Sequence, residues 1–335
     1  MFFGEVKTEL SLNGILTSSI FVTDKNNKKI KINKGTIIEQ RHIDLFLRDN
    51  INSITCAKLE EGDVEENTAV HEVSKEMVVK HKSNLTINNP KQGRCNLISN
   101  VNGVIKFNPK QLSNINSVTD KIAVASKKNL TFVKKNEVVI STKAIPFAVN
   151  NLLLKAVIEK CSDCFQVIPF KNKLIHLIQT HNATTSEKIL EKTIIVTKDR
   201  LTKCGINNFF ERKCEHSVKA LSYKIRESMD ENVDIILIFG ATAITDIDDI
   251  VPKSIKKNDG KVTRLGMPVE PGNLMLLGNL NKSNKNIPVV GMPGCARSPK
   301  ENGVDWILWR LFSEIDISSE EINDMGNGGL LWVMM

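Results

Sequence analysis

Three glycine- and proline-bearing loops in roughly the last hundred residues constrain this chain more than any other feature. They read Phe239-Gly240-Ala241-Thr242-Ala243, then Gly266-Met267-Pro268-Val269-Glu270-Pro271-Gly272-Asn273, then Gly291-Met292-Pro293-Gly294-Cys295-Ala296-Arg297-Ser298-Pro299-Lys300-Glu301-Asn302-Gly303. The first and third each follow an apolar run, at 233–239 and 287–290, that reads as a buried strand, and each leads into a helical pattern. Open α/β sheets build ligand crevices in this way, at the carboxyl ends of strands and against helix N-termini.

The same alternation extends upstream. Leu174-Ile175-His176-Leu177-Ile178-Gln179-Thr180 reads as a strand, and Thr184-Thr185-Ser186-Glu187 as a capping box opening a helix to Cys204, stopped by Gly205. Further helices are expected at 216–229 and 299–313. Strand–helix alternation predicts an α/β class for residues 171–335: a three-layer, mostly parallel sheet with helices on both faces. Residues 1–170 read as an α+β region. Helical spacing at 37–47 is followed by a short strand at 51–57. The polar, lysine-rich stretch 72–92, ending Asn88-Asn89-Pro90, predicts a helix plus linker. Val101-Asn102-Gly103-Val104-Ile105-Lys106-Phe107 predicts a hairpin turning at Gly103, and short β-type runs follow at 122–125 and 138–140. The boundary is expected near 165–172.

A length of 335 residues is enough for a sizeable core and predicts roughly two to three domains. The formal charge of +8 is spread along the chain, with only short clusters such as Lys25, Lys28, Lys29, Lys31 and Lys34. No nucleic-acid signature accompanies them, and aromatics, 5% of the chain, do not alternate with them as a stacking platform would. No nucleic-acid partner is therefore expected; the field would equally suit a small anion. No run approaches the ~20 apolar residues of a membrane span. The start, Met1-Phe2-Phe3-Gly4-Glu5-Val6, shows no signal-peptide pattern. Seven irregularly spaced cysteines argue against a disulfide framework, and a cytoplasmic location without a membrane partner is expected.

The third loop shows the most local chemistry. Ser298-Pro299-Lys300-Glu301 reads as a helix start, with Ser298 as N-cap, Pro299 at the first helical position and Glu301 closing a capping box. With Pro293-Gly294 turning the backbone and Arg297 beside it, this helix end would favour a phosphate. A well-capped helix with a surface arginine has the same pattern. Gly303, so early in a helix, points instead to something approaching closely. In the first loop Asp246, Asp248 and Asp249 precede a short helix; one is expected to cap it, and the others would suit Mg²⁺ shared with substrate oxygens. Pro271-Gly272 would form a third wall. Cys161-Ser162-Asp163-Cys164 has CxxC spacing but no second pair, the six histidines show no ligand spacing, and His176 reads as packed.

At these loops the chain resembles the molybdopterin-binding superfamily, which includes molybdopterin adenylyltransferase and molybdopterin molybdenumtransferase. Gly240-Ala241-Thr242-Ala243, Asp246, Asp249 and Pro252 match its glycine loop, acidic residue and helix proline in order. The closer resemblance is to the subgroup fused to a nucleotidyltransferase of the molybdenum cofactor cytidylyltransferase type. It rests on Lys143-Ala144-Ile145-Pro146-Phe147-Ala148-Val149, on the second and third loops, and on Met325-Gly326-Asn327-Gly328-Gly329-Leu330-Leu331. It covers most of the chain and is strongest from about residue 173. The family's double glycine is here Gly240-Ala241, and the loop to Asp249 is one residue longer than in the adenylyltransferases.

The resemblance implies a molybdopterin-binding protein of molybdenum cofactor biosynthesis, holding the pterin phosphate for nucleotide or molybdate transfer. Thr180 and Ser186 would lie near the pterin. Gly240, Ala241 and Thr242 would contact the ligand, with Pro271, Gly272, Pro293, Gly294 and Ser298 around it. Asp246 or Asp249 would handle Mg²⁺ or the reacting phosphate, and Arg297 and Lys300 would neutralise charge. As an enzyme it would be a transferase. Alternatives are a non-catalytic carrier serving a separate cytidylyltransferase, since the chain ends at Met335 with no room for that domain, and a metal-dependent nucleotide pyrophosphatase. A homo-oligomer is expected on the same analogy.

Overall fold

The computed structural model describes residues 1–24, 26–78 and 82–331; Lys25 of the basic cluster and residues 79–81 of the lysine-rich stretch lie outside the described residues. The chain divides into two compact units. One comprises Met1–Val101, Ile105–Asn129 and Val133–Val167; the other comprises Asn102–Val104, Leu130–Phe132 and the chain from Ile168 onward.

In the first unit, strand Ser53–Lys58 pairs antiparallel with Phe2–Lys7 on one side and Ile15–Leu16 on the other. The helical spacing at 37–47 yields helix Gln40–Arg48, which buries Ile43 and Phe46 in a cluster with Leu16, Val22, Ile38 and Ile54. A second sheet is antiparallel throughout, in the order Ile122–Ser126, Val138–Ala144, Arg94–Ser99, Leu85–Ile87. Helix Glu66–Glu76 contributes Ala69, Val70 and Val73 to its core. That helix begins earlier than composition suggested because the Glu65 carboxylate accepts from the N–H groups of Asn67 and Thr68. The expected linker contains strand Leu85–Ile87. The expected hairpin at Gly103 is corrected. Strand Gly103–Lys106 neighbours Phe132–Val133 and Gln166–Pro169 rather than Arg94–Ser99. A Cβ on Gly103 would fall 2.2 Å from Ile168 O, so this glycine admits a passing strand instead of making a turn.

The second unit is built on a six-stranded sheet. Its elements in chain order are β1 (Ile175–His181), α1 (Glu187–Lys203), β2 (Phe209–Glu215), α2 (Val218–Asp230), β3 (Ile235–Phe239), α3 (Ile250–Lys256), β4 (Lys261–Leu265), β5 (Leu276–Lys282), β6 (Lys285–Gly291) and α4 (Gly303–Phe312). The spatial order is β2-β1-β3-β6-β5-β4. The four strands β2, β1, β3 and β6 run parallel, and β5 and β4 add antiparallel pairs at one edge. β3 is a continuous apolar run, and β1, though it carries His176, Gln179 and Thr180, is buried from Ile175 to Thr180, because both their faces are covered. Leu177, Leu237, Phe239 and Val290 pack with Leu201 near the end of α1 and with Ile307, Leu308 and Phe312 of α4. Ile178, Ile236, Ile238 and Val289 pack with Leu221 and Ile225 of α2 and with Val251 and Ile255 of α3. The strand-to-strand alternation thus assigns one helix pair to each face.

Two helix starts differ from expectation. Ser186 is the N-cap of α1 by backbone position, but its side chain makes no capping hydrogen bond. The preceding turn is closed by Asn182 Oδ1, which accepts from the Thr184 N–H and from the Thr184 and Thr185 hydroxyls. Gly205, at φ +78°, ends the helix as expected. Ser298-Pro299-Lys300-Glu301 does not open the last helix. Gly294–Arg297 form a single 3-10 turn, and α4 starts at Gly303 behind Asn302. Asn302 Oδ1 accepts from Val304 N–H and Asp305 Oδ2 from Asn302 N–H, both at 2.9 Å, which completes a capping box four residues downstream of the expected one. The cause is a long-range contact: Asp305 is paired with the buried Arg200 of α1, at 2.5 Å, and this fixes which turn becomes the helix start.

Candidate functional site

The parallel register aligns the carboxyl ends of β1, β2, β3 and β6, so Thr180, His216, Gly240 and the Pro293 turn leave the sheet along one edge. There Thr180, the last buried residue of β1, organises the first loop. Its Oγ1 accepts the Ala241 N–H at 2.9 Å and lies 2.8 Å from His216 Nδ1. His216 Nε2 lies 2.9 Å from Thr242 Oγ1. A continuous chain Ala241–Thr180–His216–Thr242 therefore holds the loop after β3. Gly240 is required here, since a Cβ would sit 2.5 Å from Thr242 O. Burial lowers the pKa of His216, while the nearby Asp249 carboxylate acts in the opposite direction. The Ala241 N–H is thus used internally. The N–H groups of the exposed Thr242 and Ala243 make no hydrogen bond among the described residues, which leaves them for water or a ligand.

Arg297 joins the third loop to the first. Its guanidinium donates to Thr193 Oγ1 of α1 at 3.1 Å and to Gly240 O at 3.2 Å, and stacks 4.8 Å over the Phe239 ring. Burial lowers its pKa. It holds the glycine loop from behind, a different task from free charge neutralisation. Arg200 does the corresponding work for the third loop. It donates to the carbonyls of Ala296, Ser298 and Lys300 at 3.0, 3.2 and 3.3 Å, besides its pair with Asp305. The Lys300 side chain is exposed, and Gly294 faces open space with only the Arg297 guanidinium near.

The second loop docks on the start of α4. Gly303 N–H donates to Pro271 O at 2.9 Å, and the Glu270-Pro271 bond is cis. Gly272 lies at φ +135°, where a Cβ would come within 2.8 Å of Gly303 N. A Cβ on Gly303 would in turn meet Met267 Sδ at 2.8 Å and Val269 Cβ at 2.9 Å. The close approach that Gly303 signalled is made by this chain's own loop. Cys295, exposed beside the Gly272 N–H, sits where the second and third loops meet.

Of the carboxylates, Asp249 is the N-cap of α3, its Oδ1 accepting from Ile250 N–H at 2.7 Å. Asp246 Oδ1 accepts from Asp248 N–H at 2.7 Å. Each retains a second carboxylate oxygen. Among the described residues no group of three or more His, Cys, Asp or Glu side chains could hold a metal ion, so Mg²⁺ here would need oxygens from a ligand. His176 is buried in β1 with Arg212 Nε 3.4 Å from its Nδ1, and burial lowers its pKa. Cys161 and Cys164 are buried, and burial pushes both thiols up to about 12. Sequence reasoning missed His216 and Arg200. His216 stands 36 residues from Thr180 without a motif, and Arg200 lies among exposed charges on an amphipathic helix.

Among the described residues no helix is long and apolar enough to cross a membrane. No family model matches the chain, and no curated protein sequence matches it. Among solved structures it is similar to the tungsten cofactor synthesizing protein MoaB from Pyrococcus furiosus. That likeness has 15% identity and a TM-score of 0.30, covering 41% of this chain and 90% of that one. It is also similar to the nicotinate-nucleotide pyrophosphorylase from Francisella tularensis, at 9% identity and a TM-score of 0.16, over 56% of this chain and 79% of that one. At these TM-scores neither likeness supports an assignment.

Proposed function

We propose that the strand-end site binds molybdopterin, holding its phosphate as part of molybdenum cofactor biosynthesis. The supporting observation is the Ala241–Thr180–His216–Thr242 chain. It fixes a glycine loop at the carboxyl ends of parallel strands and leaves the N–H groups of the exposed Thr242 and Ala243 without a hydrogen bond among the described residues. Backbone donors held this way need no reorganisation when an oxyanion arrives. The resemblance of the three loops to the molybdopterin-binding superfamily supplies the identity of the ligand. Ser186 and the Pro293-Gly294 turn flank the loop in this reading, with Pro271-Gly272, Ser298 and Lys300 on the outer wall. Asp246 and Asp249 each have one oxygen left for Mg²⁺, which would spread the phosphate's charge when bound.

The test is equilibrium binding of molybdopterin to the purified chain, with and without Mg²⁺ and CTP, for the wild type and Thr180→Val. Tight binding that weakens at least about tenfold in the variant, about 1.4 kcal/mol, is the expected result. Release of pyrophosphate on adding CTP would make the chain a transferase; its absence would make it a carrier. Failure of the wild type to bind molybdopterin would overturn the proposal, and hydrolysis of ADP-ribose in the same preparation would replace it with a pyrophosphatase.

A further inference from the structure

The first unit contains a cavity of about 540 Å³, within the size range of small-molecule sites. Its charge is lopsided. Lys34, Lys91, Arg94 and Lys143 line it against a single carboxylate, Glu66. Lys143 and Arg94 stand directly opposite each other across the antiparallel pair of Val138–Ala144 and Arg94–Ser99. Like charges in that position destabilise a sheet. Only Lys143 has a carboxylate partner, Glu66 at 3.6 Å; it also donates to Gln92 O at 2.7 Å. Arg94 donates to Ser141 Oγ at 3.1 Å and Lys34 sits 5.4 Å from the Phe147 ring; Lys34 also acts on the Glu66 carboxylate, but among the described residues neither forms a close ion pair, nor does Lys91.

The turn that closes this wall is specialised. Gly93 lies at φ +66°, and a Cβ there would fall 2.3 Å from Glu66 Oε2 and 2.6 Å from Lys143 Nζ. The positive φ favours glycine here, and a side chain would displace the ends of both Glu66 and Lys143. Glu66 is largely buried, and burial raises its pKa in spite of Lys143. Asn96, also in the lining, has a buried Oδ1 without a hydrogen-bond partner among the described residues. An unsatisfied buried acceptor is costly unless something donates to it.

We infer that this cavity binds an organic phosphate of nucleotide size. The excess cations take its phosphates, Glu66 and Asn96 Oδ1 take hydroxyl or amino donors, and Phe147 offers an apolar side to the rest of the molecule. The inference does not depend on the strand-end site, which lies in the other unit.

Isothermal titration calorimetry of the full chain at low ionic strength tests it, with CTP, ATP, inorganic pyrophosphate and cytidine as probes. Four proteins are compared: the wild type, Lys91→Glu/Arg94→Glu, Lys34→Glu, and Thr180→Val. The substituted lysines and arginine are at the cavity mouth, and melting curves confirm that each variant is folded. The expected result is one triphosphate per chain, with pyrophosphate binding more weakly and cytidine at least about a hundredfold more weakly. Both cavity variants lose at least about tenfold in affinity, and Thr180→Val changes it by less than about twofold. No binding of any phosphate at millimolar concentration overturns the inference. So does cytidine binding as well as CTP, affinity unchanged in both cavity variants, or binding lost in Thr180→Val.

Discussion

Thr180 is a small side chain with two partners that have no substitute. Replacing its hydroxyl by a methyl of the same shape leaves the Ala241 N–H and a nitrogen of His216 unpaired, and Thr180→Val is expected to cost about 1–3 kcal/mol of unfolding free energy by denaturant titration. His216 gives this network a pH dependence. Its pKa is lower in the folded chain than its ordinary value of 6.5, so the unfolded chain binds the proton more readily. The stability from neutral His216 is therefore present above pH 6.5 and declines as pH falls below it. His176, lowered for the same reason, adds to the slope. Melting temperatures measured from pH 7.5 to 5 should fall, and His216→Gln should flatten part of that fall; an unchanged slope would remove His216 from the argument. Thr180 was legible in sequence as the polar end of an apolar strand. His216 was not, because its role comes from the parallel register of β1 and β2, which places residues 36 apart side by side.

At the scale of elements, the misplaced start of α4 shows what local reasoning cannot contain. Ser298-Pro299-Lys300-Glu301 satisfies every local rule for a helix start, yet Asn302 and Asp305 take the role because Arg200 holds Asp305 from another element. Removing charge from one partner of this buried pair leaves the other uncompensated. Asp305→Asn is expected to lose about 3–5 kcal/mol of stability by chemical denaturation. Gly272 and Gly303 form a second such joint. Gly272→Ala combines an unfavourable φ with backbone contact, and should cost about 1–3 kcal/mol with loosening of residues 267–272 by hydrogen exchange. The glycines themselves were readable as signs of close approach; what approaches was not.

At the scale of the whole molecule, the strand–helix alternation of the second half was readable because long apolar strands and amphipathic helices announce themselves by period. The first half was less so, with short antiparallel strands whose partners lie far off in sequence; the Gly103 strand, read as half of a hairpin, neighbours Phe132–Val133 and Gln166–Pro169. Cysteine distribution provides a test that samples both units. All seven thiols are free, six are buried, and Cys295 alone is exposed. A disulfide reagent at pH 8 should modify one thiol quickly in the native chain and seven after denaturation. Fast reaction of several native thiols would contradict the packing described. Arg200 has a mechanical consequence as well. One guanidinium grips three carbonyls of the third loop, and Arg297 ties the same helix, α1, to the first. Neither loop can swing as a hinged flap without dragging a helix of 17 residues along. The strand-end loops are fixed in place by the helix, so anything that binds them meets a surface already formed.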